Sequence, residues 1–412
     1  MNLIDPKKVL DKMESVVEKK NYLNRIKIIR QLYADGDSTA TNIGQVIGIS
    51  LPTVNLLLND LLEENWVVKQ GRGESQGGRK PDLYGLADDA FFVLAIELNK
   101  FSAKAALYNS KNQKVSAVRH AKIHLDNDPA TVNKVYEFGS QAITESGIPA
   151  GKIIAVGITM PGLVDSVAGI NHTHLNPGKS TLRATLEKKF GRKVYLENDA
   201  RAMTLAEFKS EHKETHKNVL GIFVDWGIGL GIVIDQKLYR GYSGFAGEFS
   251  HLPLFNSGDI SCSCGKRGCL ETVASGTTLV RMANEAIKAN PDTILAQMAK
   301  EREGDLGPHW VVDAALAGDQ QAIGILSEVG QNLGKGIAML IQLFNPELII
   351  LRGPVAEARN FILIPIQQAL NIYSMAKLSE KTQIKFSSLG KEVGLQGTFS
   401  VVNEHIFEDV LN

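Results

Sequence analysis

The sequence predicts a small helix-rich domain carrying a β-hairpin, followed by a larger two-lobed α/β domain. Three observations predict it. Apolar residues between 24 and 62 recur at helical spacing and are interrupted by a short glycine-containing turn. Two short apolar segments, at 66–68 and 83–86, flank a stretch rich in glycine and basic residues. From about residue 91 strand-like and helix-like segments alternate. The length of 412 residues agrees, at roughly 150 residues per domain, with about two to three domains. The boundary is expected near residue 88, giving domains of 1–88 and 89–412.

Leu3 to Val17 is a charged, helix-prone lead-in. Asn24 to Ala34 carries Ile26, Ile28, Ile29, Leu32 and Tyr33, mostly at helical spacing, and Gly36 stops it. Ser38-Thr39 opens a second short helix with Ile43 and Val46 expected inward. Gly48-Ile49-Ser50 is a tight turn. Pro52 begins a third helix, with Ser50 as N-cap and Val54, Leu57, Leu58, Leu61 and Leu62 inward. Helix, helix, turn, helix is the helix-turn-helix order. Trp66-Val67-Val68 and Leu83-Tyr84-Gly85-Leu86 then form a hairpin, the wing, with its tip at 71–81.

Strands are expected at Phe92 to Leu98, Ala103 to Tyr108, Val115 to Ile123, Ile153 to Met160, Val194 to Glu197, Val219 to Val224, Leu230 to Ile234 and Leu348 to Leu351. Helices are expected at Asp128 to Ser146, Leu182 to Phe190, Ala200 to Phe208, Thr277 to Ala289, Ala322 to Leu343 and Ala356 to Leu370. Two mixed sheets with a cleft between them are the natural arrangement.

The longest apolar run, Ala90 to Ile96, is far short of the roughly 18 residues that suggest a membrane span. The first residues lack a basic stretch leading into an apolar core, so a cytoplasmic protein is the expectation. Lys plus Arg and Asp plus Glu are both 45, which argues against a surface that binds nucleic acid everywhere. It leaves room for a local basic face. Lys19, Lys20, Arg25, Lys27 and Arg30 lie in a segment without an acid, and Lys69, Arg72, Arg79 and Lys80 surround Glu74. Such patches supply phosphate contacts. Gly77-Gly78-Arg79-Lys80-Pro81 suits a narrow minor groove. The third helix would enter the major groove with Ser50, Pro52, Thr53, Asn55 and Asn59 near its exposed end. Asn can pair with adenine there, and Thr can touch a base edge or a phosphate.

The three cysteines all lie between 262 and 269, too few and too close for a disulfide framework. His251 lies 11 residues upstream of Cys262. Three thiolates and one imidazole make a closed tetrahedral site, which predicts structural zinc held by His251, Cys262, Cys264 and Cys269. With one nitrogen of His251 on the metal, the other is fixed as a donor. The same ion would bring Glu248 and Glu271 together. Two carboxylates and an imidazole N–H suit a polyol.

Gly247-Glu248-Phe249-Ser250-His251 followed by Cys262-x-Cys264-Gly265-x-x-Gly268-Cys269-x-Glu271 resembles the zinc signature of the ROK family of bacterial repressors and sugar kinases. Leu196-Glu197-Asn198-Asp199-Ala200 resembles its sugar and catalytic-base segment, and Met160-Pro161-Gly162-Leu163-Val164-Asp165 its inter-strand loop. Leu51-Pro52-Thr53-Val54 and Gly77-Gly78-Arg79-Lys80-Pro81 resemble the winged helix-turn-helix of the repressor branch. The resemblance implies a two-lobed actin-like ATPase fold from about residue 90. It also implies a sugar held by Asn198, Asp199, Glu248, His251 and Glu271. In the kinases the aspartate matching Asp199 is the general base.

The sequence departs from the kinases at the nucleotide loops. Glu97-Leu98-Asn99-Lys100 replaces Asp-Gly-Gly-Thr, and Asp225-Trp226-Gly227-Ile228-Gly229 replaces Gly-Thr-Gly. Arg352-Gly353-Pro354 replaces an open glycine pair, and Arg201 stands where kinases carry Asn. Glycines let backbone N–H groups approach phosphate, and Asp225 would repel it. The expected protein is therefore a non-enzymatic, sugar-responsive transcriptional repressor acting on the bacterial nucleoid. Its expected partners are a double-stranded DNA operator and a monosaccharide effector, and it would act as a homodimer or homotetramer without a membrane. An ATP-dependent sugar kinase with an appended DNA-binding domain is the alternative.

Overall fold

The computed structural model describes residues 6–73, 80–255, 260–301 and 307–407. Two compact units result. Met1–Asn198 and Gly394–Asn412 make up the first, and Asp199–Val393 the second.

The first unit begins with helices Pro6–Lys12, Val16–Asp35, Ala40–Ile47 and Leu51–Glu63. The second of these starts well before Asn24 because Ser15 caps it, accepting the Glu18 N–H at 3.4 Å. Ser15 followed three residues on by Glu18 is capping-box spacing. Gly36 and Gly48 end the next turns with positive φ. Ile26, Ile28, Ile29, Ile43, Val54, Leu57, Leu58 and Leu61 are fully buried.

Val46 is not inward as expected, being 59% exposed. Ala40–Ile47 instead turns Ile43 and Gly44 to the core, and a Cβ on Gly44 would sit 3.3 Å from Val54. That close approach rotates Val46 to solvent. Leu62 is half-buried. The wing is a three-stranded sheet in the order Ser38–Thr39, Asp82–Leu86, Val67–Arg72, with a bulge between Lys69 and Gly71.

The α/β part of this unit has a five-stranded sheet in the order Lys193–Asn198, Ile153–Met160, Phe92–Leu98, Ala103–Asn109, Arg119–Ala121. The expected strand from Val115 to Ile123 shrinks to its last part. Ser116 Oγ accepts the Leu107 N–H at 3.0 Å, and this side-chain bond displaces the ladder. Helices Pro129–Ser146 and Leu182–Phe190 bury Val132, Val135, Phe138, Leu182 and Leu186 with the sheet. Helix Val393–His405 was absent from the sequence reading. It returns to the strand Ile153–Met160, where Thr398 meets Thr159 (Oγ1 to Oγ1, 2.6 Å) and Gly157 leaves room for Val402.

The second unit has a five-stranded sheet in the order Lys237–Leu238, Ile228–Ile234, Val219–Val224, Leu348–Arg352, Gln383–Phe386. Helix Asp199–Glu207 lies tightly on its face. Cβ atoms built at Gly221 and Gly231 would come within 2.1 and 2.2 Å of Thr204 Oγ1. Helices Gln320–Phe344 and Asn360–Tyr373 pack through Gly330 and Gly334. The expected helix from Ala356 splits into a 3₁₀ turn, Pro354–Ala358, and Asn360–Tyr373. Arg359 between them has φ 51°.

Gly231→Ala should therefore lower stability by about 1–3 kcal/mol through overpacking against Thr204. A melting temperature within 1 °C of wild type, against an expected fall of roughly 2–4 °C per kcal/mol, would show that the helix bearing Asp199 is less tightly seated.

Candidate functional site

The cysteine loop is shaped by two glycines. Gly265 and Gly268 have φ of 84° and 76°, and a Cβ on Gly268 would lie 2.5 Å from the Phe255 carbonyl. The loop closes through Cys262 N–H to Lys266 O (2.8 Å) and Gly265 N–H to Cys262 O (2.9 Å). It leaves Cys262 and Cys269 buried and Cys264 exposed. His251 arrives from the short 3₁₀ turn Phe249–His251. That turn follows Gly247 (φ 101°), where a Cβ would strike the Leu230 carbonyl at 2.3 Å.

The four expected ligand atoms lie within 4.8 Å of one another. Cys262 Sγ is 3.3 Å from His251 Nδ1, and Cys264 Sγ is 3.6 Å from Cys269 Sγ. A tetrahedron with metal–sulfur bonds of about 2.3 Å has edges of roughly 3.8 Å, so the set fits a metal ion. Burial pushes the Cys269 thiol up to about 12, and the adjoining sulfurs add to the effect. Burial raises Cys262 as well, whereas a hydrogen bond from the Lys266 backbone lowers Cys264. Crowded thiols of this kind ionise readily only beside a cation.

The carboxylates follow the cluster. Glu271 heads the short helix Glu271–Ala274. Its Oε1 accepts from Ser263 Oγ at 3.2 Å and lies 3.7 Å from Cys262 Sγ. Burial raises the Glu248 carboxyl above the usual range. His251 and Arg201 pull it down, and Glu271 pushes it up. Glu248, His251 and Glu271 are thus brought together within the second unit.

Arg201 joins them, fully buried, with Nη1 3.5 Å from the Ala246 carbonyl. In the sequence Arg201 is a departure from the kinases with no role assigned. An arginine two residues after Asp199, set among Ala200, Ala202 and Met203, is the signal the sequence holds. Asp199 begins helix Asp199–Glu207, and its Oδ1 accepts the Ala200 N–H at 2.8 Å. Asn198 ends a strand of the first unit, and its Nδ2 donates to the Gly162 carbonyl at 3.2 Å.

The three segments that depart from the kinases are occupied by internal contacts. Glu97 is buried, with Lys104 Nζ and Asn99 Nδ2 each at 3.5 Å, and Gly394 packs against its carboxylate. Burial raises Asp225, whose carbonyl accepts the Gly276 N–H at 2.8 Å. Arg352 donates to the carbonyls of Leu389 and Gly390, both at 2.8 Å, and pairs with Glu207 at 3.3 Å.

On the helix-turn-helix, Pro52, Asn55 and Asn59 are exposed and Thr53 is half-buried. Ser50 occupies the N-cap position, but its hydroxyl meets Thr53 Oγ1 (2.8 Å) rather than capping the backbone. Leu56, at 57% exposure, adds an apolar residue to this face that the sequence reading did not assign. Arg72 and Lys80 are exposed, and Arg79 lies outside the described residues. Two expected phosphate contacts are committed elsewhere: Arg25 pairs with Glu64, and Lys69 with Asp82 at 2.7 Å. Lys20, Lys27 and Arg30 stay exposed.

A model described as winged helix-turn-helix DNA-binding matches residues 23–68, and the ROK family model matches residues 93–405. The chain belongs to the ROK family. It is 27% identical over 391 residues to a xylose repressor of Bacillus spizizenii, covering 94% of this chain and 97% of the relative. It is 32% identical over 247 residues to a glucokinase of Halalkalibacterium halodurans, covering 60% of this chain and 74% of that enzyme. A crystal structure described as a ROK family transcriptional regulator, homolog of E. coli MLC protein, superposes with a TM-score of 0.78. It covers 95% of this chain and 98% of its own, at 22% identity, and so speaks to the fold.

Glu248 gives a pH test. A carboxyl raised in the folded state costs stability as pH rises from the unfolded value through the folded one. Glu248→Gln should therefore raise the melting temperature at pH 7, with the gain vanishing at about pH 4 and below. A uniform change at both pH values would remove the burial argument.

Proposed function

We propose that this ROK protein is a sugar-responsive transcriptional repressor of carbohydrate-utilisation genes, released from its operator when a sugar binds. Residues 1–88 are the DNA-binding domain, and 89–412 bind the effector and hold the protein together as a homodimer or homotetramer in the cytoplasm, on the nucleoid. The observation that carries this reading is the third helix. It buries Val54, Leu57, Leu58 and Leu61 while leaving Pro52, Asn55 and Asn59 exposed, on a chain that also carries the family's effector domain. Relatives named repressors cover more than nine-tenths of the chain, and the glucokinase covers less.

Asn55 reads a base edge, with Pro52 and Thr53 beside it and the Ser50 hydroxyl steadying Thr53. Arg72, Arg79 and Lys80 on the wing bind phosphate or the minor groove. Asn198, Asp199, Glu248, Glu271 and the free Nε2 of His251 hydrogen-bond the sugar hydroxyls. Zn²⁺ on His251, Cys262, Cys264 and Cys269 supplies a structural cross-link. The sugar acts by binding the released state more tightly than the DNA-bound one. The internal contacts of Glu97, Asp225 and Arg352 support a protein without kinase activity, in which Asp199 is a sugar ligand and not a working base.

The decisive measurement is operator binding across a monosaccharide panel, with ADP release followed in parallel. One sugar should release the DNA without turnover. Sugar-dependent ADP release that disappears in Asp199→Asn would establish the kinase instead. Arg72→Ala and Lys80→Ala should each flatten the salt dependence by about 0.9 in log K against log[salt]. Asn55→Ala should cost about 1–3 kcal/mol on the operator and relax its sequence preference.

One zinc per chain is expected by elemental analysis. Cys264→Ser should lose it and lower the melting temperature. A metal-free wild type that melts like the variant would count against the zinc assignment.

A further inference from the structure

The outer face of the third helix, Leu51–Glu63, holds a residue that the proposed function leaves unused. Val54, Leu57, Leu58 and Leu61 are buried and seat the helix. Away from them lie Leu51, Pro52, Asn55, Leu56 and Asn59, all exposed. Steps of three and four residues join these five into one stripe. Leu51 is 45% exposed and Leu56 57%. A single exposed leucine is ordinary on a protein surface. Here two share one stripe with two amides, and from Leu51 to Asn59 there is no Lys, Arg, Asp or Glu. The remaining hydroxyl is committed, since Thr53 is half-buried and its Oγ1 meets Ser50 Oγ at 2.8 Å.

That composition suits base edges and not phosphates. Phosphate contacts call for cations. Other elements supply them: Lys20, Lys27 and Arg30 are exposed on helix Val16–Asp35, and Arg72 and Lys80 on the wing. At the base edges of the major groove each base asks for a different group. Guanine offers two acceptors, which Arg or Lys reads most often, and the third helix has neither. Adenine offers one acceptor and one donor, which an Asn amide matches. Thymine offers a C5-methyl group, which takes an apolar contact. Asn55 and Asn59 supply the amides, and Leu56 stands between them in sequence with an exposed apolar side chain. Packing that side chain on a methyl group takes apolar surface of both partners out of water.

We propose that Leu56 is a specificity-determining residue whose side chain packs on the C5-methyl group of a thymine, beside adenines held by Asn55 and Asn59. The third helix thereby selects A·T over G·C pairs in the major groove. The inference rests on the DNA-binding reading above and names the base chemistry which that helix recognises.

The test begins with the full-length protein selecting sites from a random duplex library at fixed salt. Each thymine of the enriched duplex is then replaced in turn by deoxyuridine, which removes the methyl group alone. At one position the wild type should lose about fourfold in affinity, the worth of one buried methyl-sized group. Leu56→Ala, at an exposed position, should bind the thymine and uracil duplexes equally. A merely structural role for Leu56 would weaken both duplexes alike and keep their ratio. The methyl group lies in the major groove, so contacts of the wing in the minor groove do not move this readout. Replacing an adenine by 7-deazaadenine, which lacks the N7 acceptor, should weaken the wild type and leave Asn55→Ala or Asn59→Ala unaffected. Indifference of the wild type to every thymine replacement overturns the assignment, as does a uracil ratio that survives in Leu56→Ala. Enriched sites dominated by G·C pairs overturn it as well. All three outcomes leave the repressor reading standing, whereas failure to enrich any duplex removes both.

Discussion

Four ligand atoms crowded within 4.8 Å decide where the polar groups of the second unit go. Gly265 and Gly268 supply the backbone turns that let three sulfurs converge, and Gly247 lets the His251 turn pass close to a strand. Once the loop is wrapped, Glu271 is hydrogen-bonded to Ser263, beside Cys262, and Glu248 lies in the field of His251 and Glu271. Like carboxyls half out of water are unfavourable neighbours, and the buried Arg201 offsets part of that cost. The cluster therefore works as a scaffold whose value lies in what it holds beside it.

The same economy explains the nucleotide segments. A kinase needs open backbone N–H groups and space for a base. In this chain those places hold Glu97 packed by Gly394, an Asp225 turn tied to Gly276, and an Arg352 that bridges Glu207 to the carbonyls of Leu389 and Gly390. Each makes polar contacts with neighbouring groups of the chain.

Charge is distributed in the same divided way. The overall balance is zero, yet the helix-turn-helix keeps Lys20, Lys27, Arg30, Arg72 and Lys80 exposed. The ion pairs Arg25–Glu64 and Lys69–Asp82 remove two of the basic residues that the linear pattern offered. What is left is a smaller exposed set on helix Val16–Asp35 and the wing.

The sequence by itself determined the helix-turn-helix with its wing, the alternating α/β pattern and the convergence of His251 with the three cysteines. These are local properties: helical and strand periodicities, glycine and proline punctuation, and a close cysteine spacing. It misjudged features that depend on partners far along the chain. Val46 faces solvent because Gly44 packs on Val54, and the ladder beyond Val115 is interrupted where the Ser116 hydroxyl takes the Leu107 N–H. Helix Val393–His405 carried no recognised signal, since its small, polar face with Thr398 makes sense only against Gly157 and Thr159. Only the tertiary structure buried Arg201 in the field of Glu248. These residues are separated by tens of positions, and no periodicity records which turns fold back to meet. Electrostatic fields act through space and burial, and both are settled by packing.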